Sequence, residues 1–191
     1  MSDIIAVFVS DIHLTLQKPS CRADKDWMEV QAHYLSQLKE FAEDVPVICS
    51  GDIFDRWNPS PELINFALKN LPDGMICIPG QHDLPTHRYA EVHRSGYGVL
   101  KQAGKIIDIN QMCHTTDNLA LFGFGWGEEV TPCKRRDHLT NVAVVHRYLA
   151  LNKETAFPTA PQESFLQGKI EKILRTYDTA IIGDNHIGWI A

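Results

Sequence analysis

The sequence is poor in three things, and each shortage excludes something. There is no cysteine framework. Cys21, Cys49, Cys77, Cys113 and Cys133 form an odd set without a C-x-x-C pair. A scaffold of paired disulfides and a zinc knuckle are therefore excluded, and the residues read as reduced thiols of a cytoplasmic protein. There is no long hydrophobic run. The apolar stretch Ile4-Ile5-Ala6-Val7-Phe8-Val9 is too short for a signal-peptide core and far too short to cross a bilayer, so no membrane partner is expected. Positive charge is scarce, with 18 Lys and Arg against 24 Asp and Glu, a net charge of −6. An acidic chain is not a general coat for nucleic acid, which needs clustered cations. A nuclease stays open, because bound divalent ions reverse the local field.

Repeats, low-complexity tracts and linkers are also missing, and 191 residues suffice for one real core. We therefore expect a single domain over 1–191. Ile4–Val9 reads as a buried strand. Asp26 is a candidate N-cap, followed by a helical stripe at Trp27, Val30, Tyr34, Leu38 and Phe41. Val45–Cys49 is a second strand. Ser60-Pro61 opens a helix to about Asn70, with Leu63, Phe66 and Ala67 inward. Met75–Ile78 is a third strand. Strand and helix alternating over short links predict a parallel α/β arrangement. Further strands are expected at Lys105–Ile109, Leu119–Phe124, Asn141–Val145 and Thr179–Ile182, and a helix over Gln162–Thr176 with Phe165, Leu166, Ile170, Ile173 and Leu174 inward.

Five of these strands open into polar loops that carry metal-ligating residue types: Asp11-Ile12-His13, Gly51-Asp52-Ile53-Phe54-Asp55-Arg56, Gly80-Gln81-His82-Asp83, the strand-end His146, and Gly183-Asp184-Asn185-His186. In open α/β sheets, ligands gather beyond the carboxyl ends of the strands. Side-chain alternation along an extended chain puts Asp11 and His13 on one side, within reach of one cation. In the second motif the glycine permits a sharp exit, one carboxylate is able to bridge two ions, and the arginine is able to fork onto a phosphate. His82 has no evident metal partner of its own, which suits a general acid. Singly the motifs are weak, with structural readings such as a loop-capping Asp or a packed His. Their coincidence at five strand ends carries the reading.

Other residues are open on sequence grounds. His33 falls in the first helix, and His114 and His138 in polar loops; all three read as structural or solvated. His87-Arg88 and His93-Arg94 are either the side of a groove or a surface loop. Lys134-Arg135-Arg136 is either a backbone contact for nucleic acid or an exposed turn. Trp126 either packs in the core or stacks on a base.

The order D-x-H, G-D-x-x-D-R, G-x-H-D, a strand-end His and a final G-x-x-H resembles the calcineurin-like metallophosphoesterase superfamily over nearly the whole chain. Ser10–Leu14, Gly51–Asp55 and Gly80–Pro85 are most similar to its double-strand-break repair nucleases, especially the phage and prophage members. The resemblance implies an α/β fold in which two mixed sheets form a β-sandwich flanked by helices, in four layers αββα. It implies one metal site from Asp11, His13, Asp52 and His186, and a second from the bridging Asp52 with Gln81, His146 and Asp184. His82 would protonate the leaving oxygen, Asp55 would orient His82, and Arg56 would hold a phosphate oxygen. The nucleophile would be a hydroxide bridging two ions about 3.5–4 Å apart.

Two departures fall on the second site: the family usually has Asn where this chain has Gln81, and His where it has Asp184. More oxygen favours Mn²⁺ or Mg²⁺, with Fe²⁺ or Zn²⁺ as alternatives, and predicts a tight first ion and a weak second. The expected activity is hydrolysis of phosphodiesters, with DNA as substrate. The alternatives are a small-molecule nucleotide or phosphate esterase and a metal-binding scaffold with weakened catalysis. The resemblance also leads us to expect a chain without the DNA-capping domain and later strands of larger relatives, either as a compact version or with the tail removed. Gly188-Trp189-Ile190 is then expected to leave an open sheet edge, which would allow a homo-oligomer.

Overall fold

Strict alternation along short strands decides the architecture. In the computed structural model, which describes residues 4–187 and 190, Ile48, Ile76, Ile78 and Ile109 meet Leu119, Leu121, Val142 and Val144 in one fully apolar layer. The residues between them point the other way. Val47, Cys49, Met75 and Cys77 face helices on one side, and Ala120, Phe122, Ala143 and Val145 face Leu174 and Tyr177 on the other. Each fully buried Ile or Leu contributes roughly 1.5–3 kcal/mol, so these three layers dominate the stabilisation. The result is the expected helix–sheet–sheet–helix sandwich.

The first sheet runs β1 (Val7–Val9), β2 (Val47–Cys49), β3 (Met75–Cys77) and β4 (Ile106–Asp108), all parallel. The second is mixed: β5 (Cys113–Thr115) is antiparallel to β6 (Leu119–Phe124), and β6, β7 (Thr140–His146) and β8 (Thr179–Gly183) are parallel. The carboxyl ends of β1, β2, β3, β7 and β8 lead into the five polar loops.

The first strand is shorter than its apolar run. Ile4 and Ile5 are 61% and 42% exposed. The partner strand starts only at Val47, behind Pro46, which has no N–H with which to extend the ladder.

Helix α1 (Trp27–Ala42) starts where expected, with the Asp26 carboxylate accepting from Glu29 N at 3.0 Å. Its buried face, however, is Gln31, Leu35 and Ala42 with Met28 and Leu38 beside them, while Tyr34 and Phe41 are 52% and 70% exposed. The stripe is rotated by about one residue because a polar side chain is fixed inward. The Gln31 amide accepts from Thr15 N (3.1 Å) and donates to Thr15 O (2.9 Å), tying the helix to the loop that follows His13.

Helix α2 (Pro61–Asn70) is capped by Ser60 and buries Leu63 and Ala67, as the sequence indicates. Helix α3 (Gly96–Gln102) and β5 are not apparent from periodicity. The helix expected over 162–176 is broken. Only Gln162–Ser164 (a single 3-10 turn) and α4 (Gly168–Leu174) are helical. Between them Leu166 N donates to Ala150 O (2.8 Å), and that cross-link replaces the helical bonds.

Candidate metal centre

The loop after β1 does not stay extended. Asp11 (φ 52°) and His13 (φ 47°) both lie in the left-handed region, so a turning backbone, not strand alternation, brings their side chains together. Asp52 (φ 53°) and Asp184 (φ 86°) share that unusual conformation. Non-glycine residues held there cost energy and persist only where the surroundings enforce it. The enforcement is visible. Asp11 N and His13 N donate to Gly51 O and Asp52 O, each at 3.0 Å, and Leu14 N donates to Ile53 O at 2.8 Å, so the first two loops are laddered together. Asp184 N donates to Asp11 Oδ1 at 3.1 Å, which attaches the last loop to the first.

A residue with no role assigned from sequence joins the second and third loops. Asp83 is fully buried, and its carboxylate accepts from Gly80 N (3.0 Å), Ile53 N (3.3 Å) and Phe54 N (3.2 Å). Burial and the nearby Asp52 charge push its pKa up to about 7, against the pull of the three N–H donors. Its position in G-x-H-D was the available signal.

Two glycines make the close approach possible. A Cβ on Gly51 (φ 106°) would lie 2.2 Å from His146 Nδ1, and one on Gly80 would lie 2.0 Å from Asp52 Oδ1.

Three overlapping sets of donors, each with ligand atoms within 4.8 Å of one another, lie where these loops meet: Asp11, His13 and His186; His13, Asp52 and His82; and Asp11, Asp52 and His146. Individual separations are short, with His146 Nε2 3.4 Å and His13 Nε2 3.8 Å from Asp52 Oδ2, and His186 Nε2 3.6 Å from Asp11 Oδ1. Both nitrogens of His13 and Asp52 Oδ2 are buried without a hydrogen-bond partner. Orphaned polar atoms of this kind are costly unless something else pairs with them. Clustered carboxylate oxygens and imidazole nitrogens fit divalent cations.

The electrostatics agree. Burial, the largest influence, lowers the pKa of His13 and favours the neutral, ligating imidazole. Burial also works to lower His146, but the Asp52 carboxylate outweighs it and raises His146 to about 9. The same pairing draws Asp52 down even though burial pushes it up. A cation at this place therefore displaces a proton, and acid opposes its binding. His146 Nδ1 lies 2.6 Å from Ser50 O, a partner of the kind that orients metal-binding histidines.

The two residues that depart from the resembled pattern are bonded to each other. Gln81 Nε2 donates to Asp184 Oδ1 at 2.7 Å, and Gln81 Oε1 lies 2.7 Å from His146 Nε2. Asp184 joins none of the three donor sets found among the described residues. His82 N donates to Asp52 Oδ1 (2.9 Å), and its ring stands edge-on to that of His13, with centroids 5.0 Å apart. His82 Nδ1 is 2.8 Å from the main-chain carbonyl oxygen of Asp55, so the contact that orients it is main chain and not the Asp55 carboxylate. That carboxylate is 3.7 Å from Arg56 Nε, and Arg56 is 79% exposed.

Trp126 is half-buried, its ring 6.4 Å from that of His146 and 6.3 Å from that of His87. His114 lies in β5 and not in a loop. His33 and His138 are exposed. Arg135 pairs with Asp178 at 2.9 Å. A hollow of about 790 Å³ runs along β8 and α4 and is lined by none of the clustered residues. Of the expected open edge at 188–190, residues 188 and 189 lie outside the described residues.

A β-sandwich that gathers Asp and His donors at the carboxyl ends of parallel strands fits a divalent-metal centre. More closely, the chain belongs to the calcineurin-like phosphoesterases: the model of that family matches residues 6–189. It is thus a member of a family of metal-dependent phosphoester hydrolases. No curated protein matches the chain. No described helix is long and apolar enough to cross a membrane.

Proposed function

We propose that the chain hydrolyses phosphodiester bonds with two divalent cations, Mn²⁺ foremost, and that its substrate is DNA. The observation that carries the chemistry is the buried set of His13 Nδ1, His13 Nε2 and Asp52 Oδ2, which lack hydrogen-bond partners and stand among overlapping Asp and His donor groups. Asp11, His13, Asp52 and His186 would hold the first ion. Asp52, Gln81 and His146, with Asp184 behind them, would hold the second. When bound, such ions polarise a phosphoryl oxygen and make water a usable nucleophile near neutral pH.

The remaining work falls to the chain's own side chains. His82 protonates the departing oxygen. With Nδ1 engaged at Asp55 O, its free Nε2 is the atom for that transfer. Arg56, beside His82 in the wall of one cavity, offsets charge growing on the phosphate. Asp83 keeps the Gly80 loop seated on the Asp52 loop, so that His82 and Gln81 hold their places.

The preference for DNA rests on the resemblance of the first three motifs to repair nucleases. The test is a substrate panel under Mn²⁺: single-stranded DNA, an aryl phosphodiester and mononucleotides. Cleavage of DNA and of the aryl diester is expected. Turnover of mononucleotides alone would transfer the reading to a small-molecule phosphoesterase. Absence of turnover on all three, with metal bound, would leave a scaffold.

A further inference from the structure

The group that protonates a leaving oxygen stands beside it, so the body of the leaving group must lie on the His82 side of the centre. A cavity of about 210 Å³ is found there, with His82 in its wall and His13 absent from it. Its volume equals that of roughly seven waters and falls below that of a drug-sized site. It suits one ring system. The walls include two flat aromatic side chains, Trp57 and His87, the Asn58 amide and the Arg56 cation. The one carboxylate, Asp55, is turned towards Arg56.

The backbone of the His87 wall is strained. Thr86 (φ 50°, ψ 22°) and His87 (φ 57°) are consecutive non-glycine residues in the left-handed region, and Thr86 is β-branched. Such residues persist where tertiary structure over-determines them, and they cluster at ligand sites. Here Leu84 and Pro85 are buried anchors, His87 N donates to Leu84 O at 3.2 Å, and His87 Nδ1 sits 3.2 Å from Gln81 O. The strained turn thus fixes the His87 imidazole at the cavity, with Trp126 6.3 Å behind it.

The cavity does not end blindly. A second hollow of about 430 Å³ shares Asp55, Arg56 and Asn58 with it and continues along Thr15–Pro19, where Lys18 adds a cation. Arg56 there stands beside the Asp55 carboxylate, and the Lys18 ammonium donates to Asp24 O at 2.8 Å.

We propose that the cavity between the Asp55–Asn58 loop and the Gln81–His87 turn is the leaving-group subsite, and that it takes the base of a nucleoside leaving group against Trp57 and His87. This assignment rests on the phosphodiesterase reading above. It restricts that reading to esters whose departing alcohol is a nucleoside, with further strand accommodated in the second hollow. The reaction balances as a hydrolysis: the oxygen of water bonds to phosphorus, the P–O bond to the nucleoside breaks, the nucleoside oxygen leaves with the His82 proton, and a proton given up by the water restores His82.

The test compares two diesters in the Mn²⁺-loaded full chain, a dinucleoside monophosphate and methyl p-nitrophenyl phosphate. For Trp57→Ala and His87→Ala, kcat/KM for the dinucleotide should fall about tenfold relative to that for the small ester. This is the size of one base–aromatic stack, and it should appear mainly in KM with bound metal unchanged. Trp57→Phe should keep the ratio within about threefold of wild type. An unchanged ratio in both alanine variants overturns the subsite. If wild type hydrolyses neither ester, the hydrolase reading fails by itself, and a binding measurement decides the subsite. Thymidine should then quench tryptophan emission in wild type and not in Trp57→Phe. No quench in wild type, or an equal quench in both, would overturn it.

Discussion

Gln81 donates its side-chain N–H to Asp184 Oδ1 across 2.7 Å, and the carbonyl end of the same amide lies 2.7 Å from His146 Nε2. An amide held from its nitrogen end has its oxygen aimed, so in the proposed centre Asp184 would act on the second ion through Gln81. Outer partners of this kind commonly contribute ten- to a hundredfold in metal affinity. Asp184→Ala should weaken the second Mn²⁺ by about that factor and leave the first nearly unchanged, as read by calorimetric titration. Complete loss of the second ion would instead make Asp184 a direct ligand.

His82 and Asp55 should separate sharply on mutation. His82 is oriented by the main chain of Asp55. Asp55→Asn should therefore retain turnover within about threefold, whereas His82→Ala should lose on the order of a hundredfold or more with its metal retained. Equal losses in the two variants would show that the Asp55 carboxylate takes part.

Gly80 has no room for a side chain, because its Cβ would lie 2.0 Å from Asp52 Oδ1. Gly80→Ala should cost about 1–3 kcal/mol of stability through overpacking and displace Asp52 enough to abolish tight Mn²⁺ binding. Urea unfolding together with metal analysis measures both. A variant of wild-type stability and full metal content would refute the close contact.

Acid stability should depend on Asp178. Its carboxylate accepts from Asn141 N (2.7 Å) and pairs with Arg135 (2.9 Å), and these hold its pKa down to about 2. A carboxylate whose folded pKa is depressed contributes stability above its unfolded value near 4, and that contribution vanishes as pH falls towards the folded value. The melting-temperature deficit of Asp178→Ala should be full at pH 6, shrink below about pH 4, and close near pH 2. A deficit independent of pH would assign the effect to packing.

Much of this was legible in the sequence because it depends on local chemistry. Ser60-Pro61 starts a helix by its own hydrogen-bonding needs, and Leu119–Phe124 reads as a strand and is one. The five strand-to-loop junctions could be located, and the structure gathers most of their metal-ligating side chains into one cluster. What was not legible depends on partners distant in sequence. The buried face of α1 departs from the stripe in the sequence because Gln31 faces inward to bind Thr15, sixteen residues away. The helix over 162–176 breaks because Ala150 takes the hydrogen bond of Leu166. Extended geometry at Asp11 and His13 gave way to left-handed turns enforced by the Gly51 loop. Asp83 could not be assigned a role before its three N–H donors from two loops were seen together.

In the proposed function, loops remote in sequence assemble one centre for a pair of unlike cation sites. Calorimetric titration of the metal-free chain with Mn²⁺ tests it most directly. Two ions per chain with distinct affinities are predicted, the tighter one lost in His13→Ala. No binding, a single ion, or two ions of equal tight affinity would contradict a centre of two unlike sites.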